Sequence, residues 1–236
     1  MAKIICVLGN KGGTGKTTLS HMLCQGLGLL GHRAACILTD VSREPLSPNG
    51  RRYITADARN ADALTKVIDK LRSLDDWIGV VDGAGNRTDM DRKLYALADI
   101  VLLPFRDSHE DIRTVVRDLD MFPRAYAVPA QWPGNPWQRD AADRNVARLM
   151  GDFRHRILKP VVALSSSKLL LQKQVPEQMP SPLNRGCRAL AREVLDVMEI
   201  DVDHDEDEGD ADAPEMAVPA GRLPAAEIPL RLHRAG

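Results

Sequence analysis

The segment best suited to chemistry is residues 10–18, N-K-G-G-T-G-K-T-T, in which two lysines lie five positions apart within a glycine-rich loop. Glycines let a loop curl until its backbone N–H groups point inward around a phosphate. A helix that follows such a loop adds the positive end of its dipole. These residue types in this order therefore predict a phosphate-binding loop.

The spacing supports this prediction, because phosphate loops follow the pattern G-x-x-x-x-G-K-[ST]. Gly15, Lys16 and Thr17 match its end, whereas Asn10 stands where the first glycine is expected. Lys16 is expected to reach the β- and γ-phosphates of a nucleotide, and Thr17 to ligate Mg²⁺. The residues expected to bind the nucleotide are Gly12, Gly13, Thr14, Gly15, Lys16, Thr17 and Thr18. One lysine is enough for a nucleotide held in a single chain, so Lys11 needs another explanation.

The elements around the loop alternate along the chain. Strand-like apolar runs cover residues 3–8, 34–38, 53–56, 78–81, 100–103, 125–128 and 161–164. Helical patterns cover residues 17–30, 61–74, 92–98, 110–121, 141–153 and 185–198. Such alternation predicts an α/β fold with a mostly parallel sheet and helices on both faces. Ligands of these sheets bind at the carboxyl ends of the strands, where the glycine-rich loop lies.

Composition narrows the class of protein. The chain has 236 residues, of which 44% are hydrophobic, and no apolar run approaches the roughly 18 residues that span a bilayer. The first residues lead directly into a strand without a secretory signal. The four cysteines form no C-x-x-C pair, which disfavours a carrier of metal clusters. We expect a reduced, cytoplasmic protein.

The charge is unevenly distributed. Residues 201–236 carry ten acids and three bases and so have a net charge of −7. Because the whole chain has a net charge of −1, residues 1–200 have a net charge of +6. A strongly acidic segment rich in Pro and Ala cannot bury enough apolar surface to order itself. We predict one folded domain over residues 1–200 and a disordered tail over residues 201–236.

The run K-G-G-T-G-K-T-T resembles the deviant Walker A motif of the ParA/MinD group of P-loop ATPases, and the resemblance extends over roughly residues 1–198. In that group the first lysine reaches across a dimer interface to the partner's nucleotide. The resemblance therefore implies that Lys11 is a catalytic cation supplied in trans, comparable to an arginine finger. The alternative is a solvated loop lysine.

Two further segments carry the resemblance. A-A-C-I-L-T-D resembles the switch I strand, in which Leu38 replaces the first aspartate of the family and Asp40 keeps the second. Asp40 would position the attacking water and the Mg²⁺ shell, unless it is only a turn residue. W-I-G-V-V-D resembles a Walker B strand whose Asp82 would hold Mg²⁺ through water, followed by a switch II segment at residues 83–85. The implied catalytic residues are Lys11, Lys16 and Asp40, and the implied metal ligands are Thr17, Asp40 and Asp82.

The resemblance is weaker after residue 125. The strand A-Y-A-V-P leads into an insertion-like segment, A-Q-W-P-G-N-P-W, where the family places residues near adenine. A preference for ATP is therefore implied by the family and not by these residues. The segment S-P-L-N-R-G-C-R-A-L-A-R-E-V-L resembles the terminal helix of ParA proteins.

The resemblance implies an ATP-dependent homodimer whose slow hydrolysis is stimulated by a ParB-like or other adaptor. Such proteins position plasmids, chromosome regions or other cargo on non-specific DNA or on a membrane. The chain's last residues, I-P-L-R-L-H-R-A-G, do not form an amphipathic anchor, so we expect DNA and a nucleoid-associated protein. Arg185, Arg188 and Arg192 share helical spacing and are the preferred DNA-binding residues, although surface arginines are commonly only solvated.

Two other function classes remain. The chain could be a plasmid conjugation or maintenance accessory ATPase of the same fold that acts mainly through a protein partner. A third class, a carrier of metal clusters, is disfavoured because the chain has no C-x-x-C pair. DNA binding that requires ATP would separate the first two classes.

Overall fold

The computed structural model describes residues 1–9, 11–84 and 88–201. Within them the strands are β1 Lys3–Val7, β2 Arg33–Leu38, β3 Ile54–Asp57, β4 Trp77–Asp82, β5 Ile100–Phe105 and β6 Ala125–Pro129. The α-helices are α1 Lys16–Leu29, α2 Ala61–Arg72, α3 Thr88–Leu97, α4 His109–Met121, α5 Pro136–Leu149 and α6 Ser181–Val197. Two 3₁₀ helices cover Gly151–Arg156 and Ser165–Leu171.

The strands pair in the order β3-β2-β4-β1-β5-β6, and every pairing is parallel. The predicted α/β fold is therefore confirmed. β1 lies in the middle of the sheet, between β4 and β5. The chain moves to one side of β1 through β2 and β3, returns through β4, and then continues on the other side. The carboxyl end of β1 thus lies at a crevice where the direction of the chain changes, the usual ligand position in such sheets.

Apolar residues cover both faces of the sheet. The side chains of α2, α4 and α5 pack on one face, for example through Ile68, Leu119 and Ala142. α1 and α6 cover the other face. They approach so closely that a Cβ on Gly26 would lie 2.0 Å from the carbonyl oxygen of Cys187. A glycine at position 26 therefore sets the distance between the helix of the phosphate loop and the sixth helix.

The strand predicted over residues 161–164 is wrong. Val162 makes only an isolated parallel bridge with Trp132, and the neighbouring backbone follows the edge of β6 through separate hydrogen bonds. Leu158 N–H donates to Ala127 O at 2.9 Å, and Val161 N–H donates to the carbonyl of Pro129 at 2.8 Å. Between them lies Pro160, which has no N–H to donate, so a continuous ladder cannot form.

Candidate phosphate-binding site

The glycine-rich loop joins the carboxyl end of β1 to α1, as the sequence predicts. Gly13 and Gly15 have φ values of +79° and +94°, a region that side-chain-bearing residues rarely adopt. Gly15 is the N-cap of α1 and provides no side chain to bind the first N–H groups of the helix. A Cβ on Gly12 or Gly13 would meet no atom within 4 Å. The first turn of α1 therefore has no side-chain cap, and its N–H groups and the positive end of the helix dipole remain for a ligand of the loop.

Lys16 is the first residue of α1 and is buried. Its Nζ donates to the carbonyl oxygens of Gly9 and Lys11, at 3.0 and 2.8 Å. Burial lowers the pKa of Lys16, while the negative charges of Asp91, Asp82 and Asp40 act in the opposite direction. The loop thus holds a partly desolvated ammonium group on two backbone carbonyls, which a phosphate can replace as its partners.

Asp82 ends β4 beside this loop and is 1% exposed. Ser20 Oγ lies 3.4 Å from Asp82 Oδ1, and the Thr17 hydroxyl on the same helix is near enough to lower the pKa of the carboxyl. Among the described residues Asp82 Oδ2 has no hydrogen-bond partner, and burial raises the pKa of this carboxyl to about 6. A hydroxyl beside an incompletely satisfied carboxylate fits a Mg²⁺ ion held by Thr17 directly and by Asp82 through water.

Hydrogen bonds connect the end of β2 to the end of β4. Thr39 Oγ1 donates to the backbone carbonyl of Asp82 at 2.7 Å, which places Asp40 at the same edge of the sheet. Asp40 Oδ1 accepts hydrogen bonds from the backbone N–H of Ser42 at 3.0 Å and from its hydroxyl at 2.7 Å. Oδ2 lies 3.4 Å from Arg43 Nε. The hydrogen bonds from Ser42 lower the pKa of Asp40, so the carboxylate is ionised and organises its own turn.

Lys11 makes contacts that the sequence did not predict. Its Nζ lies 2.6 Å from Asp111 Oδ1 and 2.8 Å from Glu110 Oε2, both in the first turn of α4 of the same chain. The contacts with Asp111 and then Glu110 raise the pKa of Lys11. Asp111 is buried; although burial opposes the effect, hydrogen bonds from Arg106 and then Lys11 lower the pKa of this carboxyl. Within one chain, Lys11 is therefore part of an ionic cluster and not a freely solvated side chain.

The insertion-like segment after β6 contacts the loop. Gln131 has a positive φ of 54°, and its Nε2 donates to Gly13 O at 3.3 Å. Next to it, Trp132 is 1% exposed, donates from Nε1 to Asp143 Oδ1 at 2.9 Å, and packs edge-on against Phe105. A buried tryptophan thus anchors this segment and directs the glutamine to the phosphate loop.

Sequence reasoning missed Asp91, which is buried on α3. Burial raises its pKa to about 6, and its Oδ1 has no hydrogen-bond partner in the part of the chain that the structure describes. Its negative charge acts on Lys16 more strongly than that of Asp82 does. A signal was available: Asp91 precedes the buried Leu94 and Ala98 by three and seven residues, and so lies on the apolar stripe of the helix.

The other predicted residues are distributed as follows. Thr14 is buried and its hydroxyl lies 3.4 Å from Lys11 O, and Thr18 is half-buried in the first turn of α1. Arg185 and Arg192 are exposed on α6, far from the apolar stripe that packs on α1, and Arg188 is half-buried between them. Asn10, Gly85 and residues 202–236 lie outside the described residues.

The sequence of residues 5–126, more than half of the chain, matches the family described as the CobQ/CobB/MinD/ParA nucleotide binding domain. This range contains the phosphate loop, Asp40, Asp82, Asp91 and Asp111, whereas Gln131 with its anchor Trp132 and the α6 arginines lie beyond it. No curated protein sequence matches the chain significantly.

Solved structures of similar fold include an ATP complex of a variant of Cyanothece McdA. It has a TM-score of 0.60 and 14% identity, covering 85% of this chain and 97% of that one. The septum site-determining protein MinD of Pyrococcus horikoshii with Mg-ADP has a TM-score of 0.60 and 16% identity, covering 82% and 96%. A putative plasmid partition protein of Borrelia burgdorferi bound to AMPPNP has a TM-score of 0.58 and 13% identity, covering 83% and 98%. At these identities the likeness concerns the fold.

Proposed function

Because the chain belongs to the CobQ/CobB/MinD/ParA nucleotide-binding family, we propose that it is an ATPase that dimerises with ATP and partitions or positions a cargo on non-specific DNA. One observation carries the nucleotide part of this proposal. The ammonium of Lys16, the open first turn of α1, and the Thr17–Asp82 pair all meet at the carboxyl end of β1.

The chain's own residues would bind Mg-ATP as follows. Backbone N–H groups of residues 12–18 surround the phosphates, and the Lys16 ammonium, which is already desolvated, exchanges loop carbonyls for phosphate oxygens. Thr17 would ligate Mg²⁺ and Asp82 would hold it through water. When bound, the metal neutralises charge on the β- and γ-phosphates and so assists their separation.

Hydrolysis requires a positioned water and further positive charge. Asp40 lies at the same edge of the sheet as Asp82 and is ionised, so it can accept a hydrogen bond from the attacking water. Lys11 would supply positive charge to the nucleotide of a partner chain, as the family resemblance implies. To do so it must leave Asp111, which keeps Arg106 at 3.0 Å as a second cation. The proposed dimer thus exchanges an ionic contact within a chain for one between chains.

The proposed DNA-binding surface is the solvent-facing side of α6. Arg185 and Arg192 are exposed there, opposite the buried stripe that packs on α1, and Arg188 is half-buried at the edge of this side. Phosphates bound by such residues would release counterions, which gives binding without sequence preference. No α-helix in residues 1–9, 11–84 and 88–201 is long and apolar enough to cross a membrane.

The alternative is an accessory ATPase that acts mainly through a protein partner, and the two proposals differ in their dependence on DNA. We would measure the anisotropy of a fluorescent random-sequence duplex with the protein and ADP, ATP or AMPPNP at low salt. The first proposal predicts binding with ATP and AMPPNP and little with ADP, and weaker binding after replacing all three α6 arginines with Ala. The reference variant replaces Arg124, whose guanidinium binds backbone carbonyls at the other face. Nucleotide-dependent dimers without DNA binding would favour the accessory protein.

A further inference from the structure

The sequence assigns no function to Arg43, yet the structure brings it to the catalytic edge of the sheet. The turn that follows β2 closes with Arg43 N–H donating to Asp40 O at 3.2 Å. This turn brings the guanidinium back toward the switch I aspartate, so that Nε lies 3.4 Å from Asp40 Oδ2. The side chain is 49% exposed and can therefore accept a second partner.

Contacts on both sides hold the backbone of this turn. Arg59 donates from a terminal guanidinium nitrogen to Arg43 O at 3.0 Å, and Arg59 itself makes two hydrogen bonds to Asp57 at the end of β3. On the other side, Glu44 pairs with Lys173 at 2.9 Å. The backbone of Arg43 is thus tied to the end of β3 through Arg59, while its guanidinium pairs with Asp40 and keeps an exposed side.

The charge of Arg43 acts on the phosphate site itself. Burial raises the pKa of Asp82. The Thr17 hydroxyl and then the positive charge of Arg43 lower this pKa, and the effect of Arg43 is larger than that of Lys16. Burial is the main cause that lowers the pKa of Lys16, and the positive charge of Arg43 lowers it further. The geometry agrees with this, because Arg43 pairs with Asp40 at 3.4 Å, and Thr39, the residue before Asp40, is hydrogen-bonded to the backbone carbonyl of Asp82 at 2.7 Å.

Hydrolysis of ATP creates the need for such a cation. The water oxygen bonds to the γ-phosphorus, the bond from phosphorus to the β–γ bridging oxygen breaks, and its electron pair leaves with ADP. The water proton passes to the phosphate that is released. Negative charge increases on the bridging oxygen and is spread over the γ-oxygens in the transition state. A guanidinium binds two such oxygens at once and is always charged.

We propose that Arg43 is a catalytic residue that contacts the γ-phosphate of ATP in its own chain and stabilises the transition state, with Asp40 holding its guanidinium beside the site. This inference rests on the proposed function, since it requires that the chain hydrolyse ATP. It assigns to switch I a cation in cis, in addition to the lysine that acts in trans.

The competing explanation is an ion pair that only shapes the turn. The decisive variants are Arg43→Gln and Arg43→Lys, with Lys173→Gln as the matched control. Lys173→Gln removes the same charge beside the next residue of the same loop, from an exposed pair with Glu44. We would measure kcat, KM for ATP, and the affinities for ADP and AMPPNP for each protein.

A catalytic contact predicts that Arg43→Gln lowers kcat by about 100-fold or more and weakens AMPPNP binding, while ADP affinity stays within about threefold of the parent. Arg43→Lys should recover part of kcat, and Lys173→Gln should match the parent. If Arg43→Gln matches Lys173→Gln, or if it loses ADP and AMPPNP affinity equally, the inference is wrong. A parent protein that binds AMPPNP but does not hydrolyse ATP would contradict the proposed function instead, and the ratio of AMPPNP to ADP affinity would still test the phosphate contact.

Discussion

Lys11 Nζ lies 2.6 Å from Asp111 Oδ1, so the lysine that the family resemblance assigns to a partner's nucleotide is paired with a buried acid of its own chain. Asp111 is held independently, because Arg106 donates to its other oxygen at 3.0 Å. Removing Lys11 therefore leaves Asp111 with a cation. The pair can open without leaving a buried charge alone, which would be costly.

Lys16→Ala is expected to weaken binding of both ADP and ATP by roughly 10- to 100-fold, because hydrogen bonds from a charged donor each contribute about 1.5–3 kcal/mol. Isothermal titration calorimetry would measure this. Lys173→Ala, which removes an exposed lysine outside the loop, should bind like the parent. Parental affinity of Lys16→Ala would refute the assignment of the phosphate loop.

Asp40→Ala is expected to bind ATP like the parent but to hydrolyse it at least about tenfold more slowly, because the water loses its orienting acceptor. The variant should therefore accumulate the ATP-bound dimer. Ser42→Ala removes the hydroxyl that Asp40 binds at 2.7 Å but keeps the carboxylate. If Asp40→Ala hydrolyses ATP as fast as the parent, Asp40 is only a turn residue. The same conclusion follows if Asp40→Ala and Ser42→Ala lose the same fraction of the hydrolysis rate.

The sequence predicts the elements and the phosphate loop well, because apolar periodicity and glycine spacing are local signals. α5 begins at Pro136, five residues before the predicted start. The sequence does contain the signal for this start, because Asn135 as N-cap followed by Pro136 is a typical helix N-terminus. Contacts between distant segments could not be predicted. Nothing local shows that Lys11 meets Asp111, 100 residues later, or that Gln131 reaches Gly13. Such pairs depend on the order of strands in the sheet.

Asp91→Asn is expected to increase the free energy of unfolding by about 1–2 kcal/mol at pH 8, because it removes a buried, incompletely paired charge. The groups that face Asp91 are Lys16, Asp118 and the thiol of Cys6. Since the pKa of Asp91 is raised to about 6, the folded parent binds more protons than the unfolded chain between about pH 4 and pH 6. Its stability therefore gains from this group as pH falls through that window.

The gain from Asp91→Asn should accordingly shrink as the pH falls toward 4, where the parent carboxyl is protonated. Urea unfolding at pH 8, 6 and 4.5 would measure it. Asp69→Asn, on the exposed side of α2, is the control and should change stability by no more than about 0.5 kcal/mol at any pH. A gain that does not depend on pH would show that the charge of Asp91 is not its cause.

Truncation after Ile200 is expected to strengthen DNA binding at low salt and to leave basal ATP hydrolysis unchanged. Nine acids lie between positions 201 and 215, beside a domain with a net charge of +6, so the tail can compete with DNA phosphates. The difference between the two proteins should decrease as salt rises, since screening weakens both attractions. Equal affinity at low salt, measured by anisotropy, would contradict the competition.

A mixture of two inactive variants tests whether Lys11 acts in trans. At an ATP concentration that saturates Lys11→Ala but lies below the weakened affinity of Lys16→Ala, the Lys16→Ala chain stays largely empty but carries Lys11, whereas the Lys11→Ala chain is loaded but lacks the lysine. A heterodimer contains one complete site, in which nucleotide bound to the Lys11→Ala chain meets Lys11 of the other. We expect partial recovery of ATP hydrolysis in the mixture. No recovery, in a mixture shown by crosslinking to contain heterodimers, would contradict action across the interface.

Sedimentation velocity of the parent and of Lys11→Ala, each with ADP and with AMPPNP, tests the ATP-dependent dimer itself. The parent should be a monomer with ADP and a dimer with AMPPNP. Lys11→Ala should remain a monomer with both nucleotides while keeping near-parental affinity for ADP, because its lysine contacts Asp111 and not its own phosphate loop in the single chain. If Lys11→Ala loses ADP binding as severely as Lys16→Ala, or still dimerises with AMPPNP like the parent, Lys11 does not act on a partner's nucleotide.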